Sequence, residues 1–255
     1  MNPTITENHK VVSRSEWLRA HSDFLAKEKE LTHLSDELAR QRHELPWTRV
    51  EKNYVFNGPQ GKLGLADLFA GRTQLATYHF MFGPEWEEGC PGCSYVMDHM
   101  NGAVEHLAAR DVSLVAVSRA PLEKLLAFQR RMGWRFPWVS SGECDFNRDF
   151  GVAFTKEQVA SGAKAYNFAT TPPHGEENPG LSCFYKDPSG VVFHTFSGYG
   201  RGLESMLGTY AVLDRAPKGR DEDSLPMPMA WVRHHDKYEP SSQGAGTCCH
   251  KKECH

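Results

Sequence analysis

An α/β fold built around a parallel strand–helix–strand unit is predicted by three features of the sequence. The run VSLVAVS at 112–118 is Val-rich and reads as a strand buried on both faces. Helical patterns flank it at 93–109 and 121–133, the second opened by Pro121 at a first-turn position. Ahead of both, QLATYHFMF at 74–82 has strand composition. Strand, helix, strand, helix implies parallel neighbours joined by crossovers.

The elements outside this unit follow from local signals. Residues 13–45 form one long helix, opened by the capping-box spacing of Ser13 and Glu16 and stopped by Pro46. Trp17, Phe24, Leu31, Leu38 and Leu45 recur at seven-residue spacing, and Leu18, Leu25 and Leu34 widen the stripe. The stripe predicts a helix packed on its own domain, or else paired with a second copy in a homodimer. Lys27 and Gln41 at intermediate positions weaken a coiled coil. NYVF at 53–56 is a short strand, and 140–180 is a Gly-, Pro-, Asn- and Glu-containing connection with a short helix near 155–161. LSCFYKDPSGVVFHTFS at 181–197 is a hairpin hinged at Asp187 to Gly190, and 203–214 is a final helix. The expected division is a helical arm over 1–46 packed on the core, a domain over 47–238, and a flexible Cys/His-rich tail over 239–255.

Composition narrows the function classes. The chain of 255 residues carries 29 basic and 32 acidic side chains, a net charge of −3, so no global field attracts phosphate backbones or anionic lipid. Nucleic acid and membrane are not expected as partners. No run approaches the roughly 20 apolar residues of a membrane span, and the N-terminus lacks a basic segment followed by an apolar one. A cytoplasmic location is the expectation. Seven cysteines, unevenly spread, do not form a secreted disulfide framework.

The chemistry concentrates in MFGPEWEEGCPGCSYVMDHM (81–100), where Cys90 and Cys93 enclose Pro91 and Gly92. A Cys at a helix start meets unpaired amides and the positive end of the helix dipole, which favour its thiolate. Three residues on, a second sulfur comes round on the same side of the first turn, close enough to form a disulfide. Cys90 is then the attacking thiol and Cys93 the resolving one. Strand, CxxC at a helix start, strand, helix, long connection, hairpin, helix is the thioredoxin-like topology: a central mixed sheet flanked by helices, here with a long N-terminal helix and a C-terminal extension.

The stretches QLATYHFMFGPEWEEGCPGCSYVMDHM, FPWVSSGECDFNRDFGV, SCFYKDPSGVVFHTFSGYGRG, GTYAVLDRAPKGRDE and WVRHHDKY carry a specific resemblance. Over residues 13–238 the chain resembles the bacterial family of predicted dithiol-disulfide oxidoreductases, numbered eight hundred and ninety-nine among domains of unknown function. The resemblance implies a thioredoxin-like fold and thiol chemistry on a protein or small-molecule disulfide. It carries over Cys90 and Cys93, with Trp86 and Ser94 beside them, Trp86 as a substrate contact. Two departures from thioredoxins proper stand out. Trp86 lies four residues before Cys90 rather than directly before it, and Glu85, Glu87 and Glu88 can oppose a thiolate. Thioredoxins also place a cis-proline opposite the dithiol, where backbone is left to pair with substrate; Pro179 stands at the matching distance from the hairpin, as that proline or as an ordinary trans one.

Other candidates have plainer readings. Cys183 and Cys144 are expected as small buried hydrophobes, with a resolving role conceivable for Cys144. His79 and His194 can act as acid or base near Cys90, or sit hydrogen-bonded in the core. Arg201 is expected to cap a helix or pair with Asp214, and His234 and His235 to dock the C-terminal arm. The tail CCHKKECH gathers Cys248, Cys249, His250, Cys254 and His255, soft ligands suited to Cu(I) or Zn(II). The alternative to a cofactor-free oxidoreductase is therefore a metal handler, holding Cu(I) or Zn through Cys90 and Cys93 with His174 or the tail. Peroxide reduction is a third reading, set back by the lack of an Arg adjacent to Cys90 in sequence.

Overall fold

A computed structural model describes residues 9–239. Helix α1 (Arg14–His43) starts as its sequence dictates: the Ser13 hydroxyl accepts the Glu16 amide at 3.3 Å, and the Glu16 carboxylate accepts the Ser13 amide at 3.1 Å. Its packing differs from expectation. No residue of α1 is buried, and Trp17, Phe24, Leu31 and Leu38 all stand exposed. The arm is therefore not packed on the core. A repeat of apolar side chains specifies that one face prefers cover, but not which surface covers it.

The remaining strands and helices are β1 (Thr48–Arg49), β2 (Val55–Gly58), β3 (Gly61–Gly64), β4 (Gln74–His79), α2 (Pro91–Asn101), α3 (Val104–Ala108), β5 (Val112–Ser118), α4 (Leu122–Met132), β6 (Trp138–Ser140), α5 (Phe146–Asp149), α6 (Lys156–Ala160), β7 (Gly180–Lys186), β8 (Val192–Tyr199) and α7 (Gly208–Leu213). The eight strands of the described residues join one sheet in the order β1-β8-β7-β4-β5-β6-β2-β3. At its centre β4 and β5 run parallel, β7 is antiparallel to β4, and β8 is antiparallel to β7. With α2 and α3 crossing from β4 to β5, this is the thioredoxin-like fold, extended at both edges.

Several elements depart from their expected bounds for local reasons. The helix expected over 93–109 is divided into α2 and α3 at the α2 C-cap, Gly102. The last expected helix opens as a 3-10 stretch over Gly200–Met206 before α7. Strands β1, β3 and β6 are two to four residues long and were not foreseen. Pairing alone defines them, since such runs are too short for a period to show. Helix α4 keeps its expected place and buries Leu125, Phe128 and Met132, ending where Gly133 takes a left-handed φ of 66°.

Alternation along the central strands divides the interior in two. Tyr78, Phe80, Leu114 and Ala116 join Cys93, Val96 and Phe128 on one face, while Leu75, Val115 and Val117 join Phe146 and Phe184 on the other. No helix of the described residues is long and apolar enough to cross a membrane.

Because α1 leaves no buried side chain behind, a chain beginning at Pro46 should unfold in urea with the same midpoint and slope as the full chain at concentrations where both are monomeric, the change staying within about 0.5 kcal/mol. A larger loss would show that α1 supports the core.

Candidate functional site

Cys90 is the N-cap of α2, with Pro91 in the first turn, where its missing N–H costs no bond. Two contacts fix this turn against the end of β4: the Cys90 amide donates to the Met81 carbonyl at 3.0 Å, and the Met81 amide donates to Cys93 Sγ at 3.4 Å. The Ser94 hydroxyl returns to the Cys90 carbonyl at 2.9 Å. Cys93 is 2% exposed, whereas Cys90 is half-buried and lines a cavity. Both are free thiols.

The two sulfurs are electrostatically unequal. The Cys93 thiol hydrogen-bonds Cys90 and lowers its pKa to about 7, burial opposes this, and the amides of Cys93 and Gly92 reinforce it. Near neutral pH Cys90 is therefore more readily ionised than a free Cys. Burial drives Cys93 the other way, well above its ordinary range, and the bond to Cys90 and the charge there add to the rise. The Tyr78 hydroxyl and the Met81 amide partly relieve Cys93. Tyr78 is a site residue that sequence reasoning missed. Its signal was present in the alternation of β4, which puts positions 76, 78 and 80 on the α2 face.

Of the acids before the dithiol, Glu88 is matched by cations. Glu88 accepts from Lys237 Nζ at 2.6 Å and from Arg131 at 2.6 Å, and these bonds hold its carboxyl below the usual range. Arg131 is also forked onto Asp236 at 2.7 and 3.0 Å, and His234 Nε2 meets the Gly89 carbonyl at 2.8 Å. The expected docking role of His234 and His235 agrees with this geometry, His235 meeting Asp98 at 2.8 Å.

In front of the sulfurs lies a cavity of about 350 Å³. Tyr78, Met81, Val96 and Pro179 line it on the sheet and α2 side, Leu203 and Leu207 from the turn that leads into α7, and Pro228 and Met229 from the arm after α7. Arg201 and Arg220 lie at its margin, both engaged. Arg201 pairs with Glu204 at 3.0 Å, not with Asp214. Arg220 forks onto Asp214 at 2.6 and 2.7 Å and also binds Glu204.

Pro179 thus stands beside the dithiol, as its position in the sequence suggested, but its peptide bond is trans, and no described bond is cis. Trp86 does not line the cavity; its indole lies over Gly83, where an added Cβ would sit 2.9 Å from Trp86 Nε1. His79 points to the opposite face of the sheet, stacked on Phe146 and bonded to Ser182 Oγ at 2.9 Å, and burial pushes its pKa down to about 3. His194 likewise serves a polar contact there, Ser197 Oγ at 2.8 Å. Cys144 packs against that same second cluster, and burial raises Cys183 to about 11. Neither is brought to Cys90.

Among the described residues no group of three or more His, Cys, Asp or Glu side chains is placed to hold a metal ion. His174 is exposed and does not line the dithiol cavity. The suggested tail ligands Cys248, Cys249, His250, Cys254 and His255 lie outside the described residues.

A family model described as a bacterial protein of unknown function, DUF899, matches residues 6–238. Among solved structures the chain is similar to the peroxidoxin BcpB of Mycobacterium tuberculosis, at 15% identity over 64% of this chain and 94% of that one, with a TM-score of 0.43. A cysteine-to-serine mutant of Xylella fastidiosa PrxQ matches at 13% identity over 65% and 94%, TM-score 0.42. A putative thiol:disulfide interchange protein DsbE from Chlorobium tepidum matches at 14% over 65% and 97%, TM-score 0.39. No curated protein matches the sequence.

The geometry sets a pH profile. Falling pH protonates Cys90, so alkylation by iodoacetamide, mapped by mass spectrometry, should slow through a midpoint near pH 7 and level off above about pH 8. Cys93 should stay unlabelled in the folded protein. Equal labelling of both thiols would overturn their unequal roles.

Proposed function

The chain belongs to the bacterial DUF899 family, and on the geometry of its dithiol we propose that it is a thiol–disulfide oxidoreductase that works without a metal or organic cofactor. The observation that carries this reading is the asymmetric pair: Cys90 half-buried with its thiolate favoured, Cys93 buried beside it with its thiol retained. Cys90 attacks one sulfur of a substrate disulfide, the S–S bond breaks, and the departing thiolate takes up a proton. The mixed disulfide on Cys90 removes the negative charge that held the Cys93 proton. Cys93 then ionises, helped by the Tyr78 hydroxyl and the Met81 amide, and displaces the second substrate thiol. The substrate gains two electrons and the protein ends with a Cys90–Cys93 disulfide, which an external dithiol reduces.

Removing either sulfur gives opposite outcomes. Cys93→Ser should accumulate a stable mixed disulfide on Cys90, seen as a mass increase that a reductant reverses, whereas Cys90→Ser should form none. Adducts of equal yield on both variants would sink the proposed order of attack.

Tyr78 gives a finer test of the second step. Tyr78→Phe removes the hydroxyl that faces Cys93 and should prolong the mixed disulfide by about tenfold, as expected for loss of a hydrogen bond to a charged group. Rapid-quench mass spectrometry reads this lifetime. An unchanged lifetime with slower first attack would assign Tyr78 to Cys90 instead.

A further inference from the structure

Resting on the oxidoreductase reading, we propose that the substrate of the Cys90–Cys93 dithiol is a small, uncharged, apolar disulfide that enters the cavity, and not a disulfide presented on a protein strand. Three independent features of the site support this assignment.

The first is cover. The arm after α7 crosses in front of the dithiol, and the Cε of Met229 would lie 3.6 Å from a Cβ added at Gly92, between the two cysteines. Met229 takes a left-handed φ of 65°, a conformation that costs an L residue free energy and persists only where the surroundings enforce it. Those surroundings are explicit. Glu222 accepts from the Tyr210 hydroxyl at 2.7 Å, the Met229 amide at 3.0 Å and Trp231 Nε1 at 2.5 Å. The cavity, about 350 Å³ and partly open to solvent, is small-molecule size, at the low end of the ~300–1,000 Å³ typical of ligand pockets.

The second is charge. The ionised groups that line the cavity are already engaged, Glu222 by the three neutral donors named above. Arg220 is held by Asp214 and Glu204 and lies 3.9 Å from the centroid of the Tyr210 ring, and Arg201 is held by Glu204. A carboxylate or ammonium on a ligand seated among Met81, Val96, Leu203 and Met229 would be left without a partner among apolar side chains, which is costly.

The third is backbone. A peptide substrate docks on a thioredoxin-like site by pairing with free main chain beside the proline that faces the dithiol. Here much of that main chain is taken. The Asn178 amide donates to the Val152 carbonyl at 2.8 Å, the Pro179 carbonyl accepts the Tyr166 hydroxyl at 2.5 Å, and Gly180 is paired with Tyr199 in the sheet.

The test uses full-length protein, reduced and freed of reductant, and measures by mass spectrometry the second-order rate of Cys90–Cys93 oxidation by di-n-butyl disulfide, oxidised glutathione and insulin. The butyl disulfide should react at least about tenfold faster than either of the others. Met229→Glu should reduce the ratio of butyl to glutathione rates by about tenfold, and Met229→Leu should preserve it, a ratio that general loss of folding would not produce. Oxidised glutathione or insulin reacting as fast as the butyl disulfide would overturn the substrate class and leave the oxidoreductase reading standing. A ratio untouched by Met229→Glu would remove the cavity from recognition. Failure of every disulfide to oxidise the pair would bring down both readings.

Discussion

Two backbone contacts at Met81 set the position of the whole site. Its carbonyl receives the Cys90 amide and its amide reaches Cys93 Sγ, so the first turn of α2 cannot shift relative to the end of β4 without losing both. Strand β4 is itself fixed on two sides along its whole length, by β5 in parallel and β7 antiparallel, and the dithiol is tied to that strand. From that tie the other parts follow. Tyr78, three residues before Met81, is carried under Cys93. Its neighbour His79 is turned by the pleat to the other face, among Phe146 and Phe150.

The same pleat explains which thiols can take part. Cys90 and Cys93 share the α2 side with the first hydrophobic cluster, whereas Cys144 packs against the second. A sheet lies between them, and a disulfide requires Cα atoms within about 7 Å. A resolving role for Cys144 would therefore need the fold to open. Cys183, mid-strand in β7, is held as a thiol by burial, with a pKa near 11. Of the four described cysteines, Cys144 is separated from Cys90 and Cys93 by position and Cys183 is kept protonated by burial.

Much of this was legible in the sequence where the signal is periodic or local. The Val-rich β5 lies where its composition places it, the Ser13–Glu16 box opens α1, and Pro91 at the α2 start follows from the CPGC spacing. What was not legible depends on contacts between distant residues. The seven-residue repeat in α1 says that a face is apolar, and it is equally apolar whether covered or, as here, exposed. The three acids beside Cys90 read as a threat to its thiolate, because nothing in EWEEG reveals that Lys237 and Arg131 neutralise Glu88. The trans bond at Pro179 was open for the same reason: a proline before a hairpin has one spelling in either isomer. Nor does any local pattern show that residues 220–231 would roof the cavity, since Glu222 acquires its meaning only from Tyr210 and Trp231.

The arm couples two demands that otherwise conflict. Covering the dithiol removes water from Cys90, and burial does oppose its ionisation. In such an enclosure any uncompensated carboxylate nearby would act through a lower effective dielectric and oppose the thiolate further. The segment that follows the roof supplies the remedy: Lys237 binds Glu88, Asp236 holds Arg131 against the same carboxylate, and His234 anchors the chain on the Gly89 carbonyl. Cover and charge balance thus arrive together on one stretch of chain. The thiolate is then left to depend on groups that move with it, the Cys93 thiol and the amides of Gly92 and Cys93, all within the first turn of α2. Because these donors need no water, the cover over Cys90 does not by itself remove the groups that favour its thiolate.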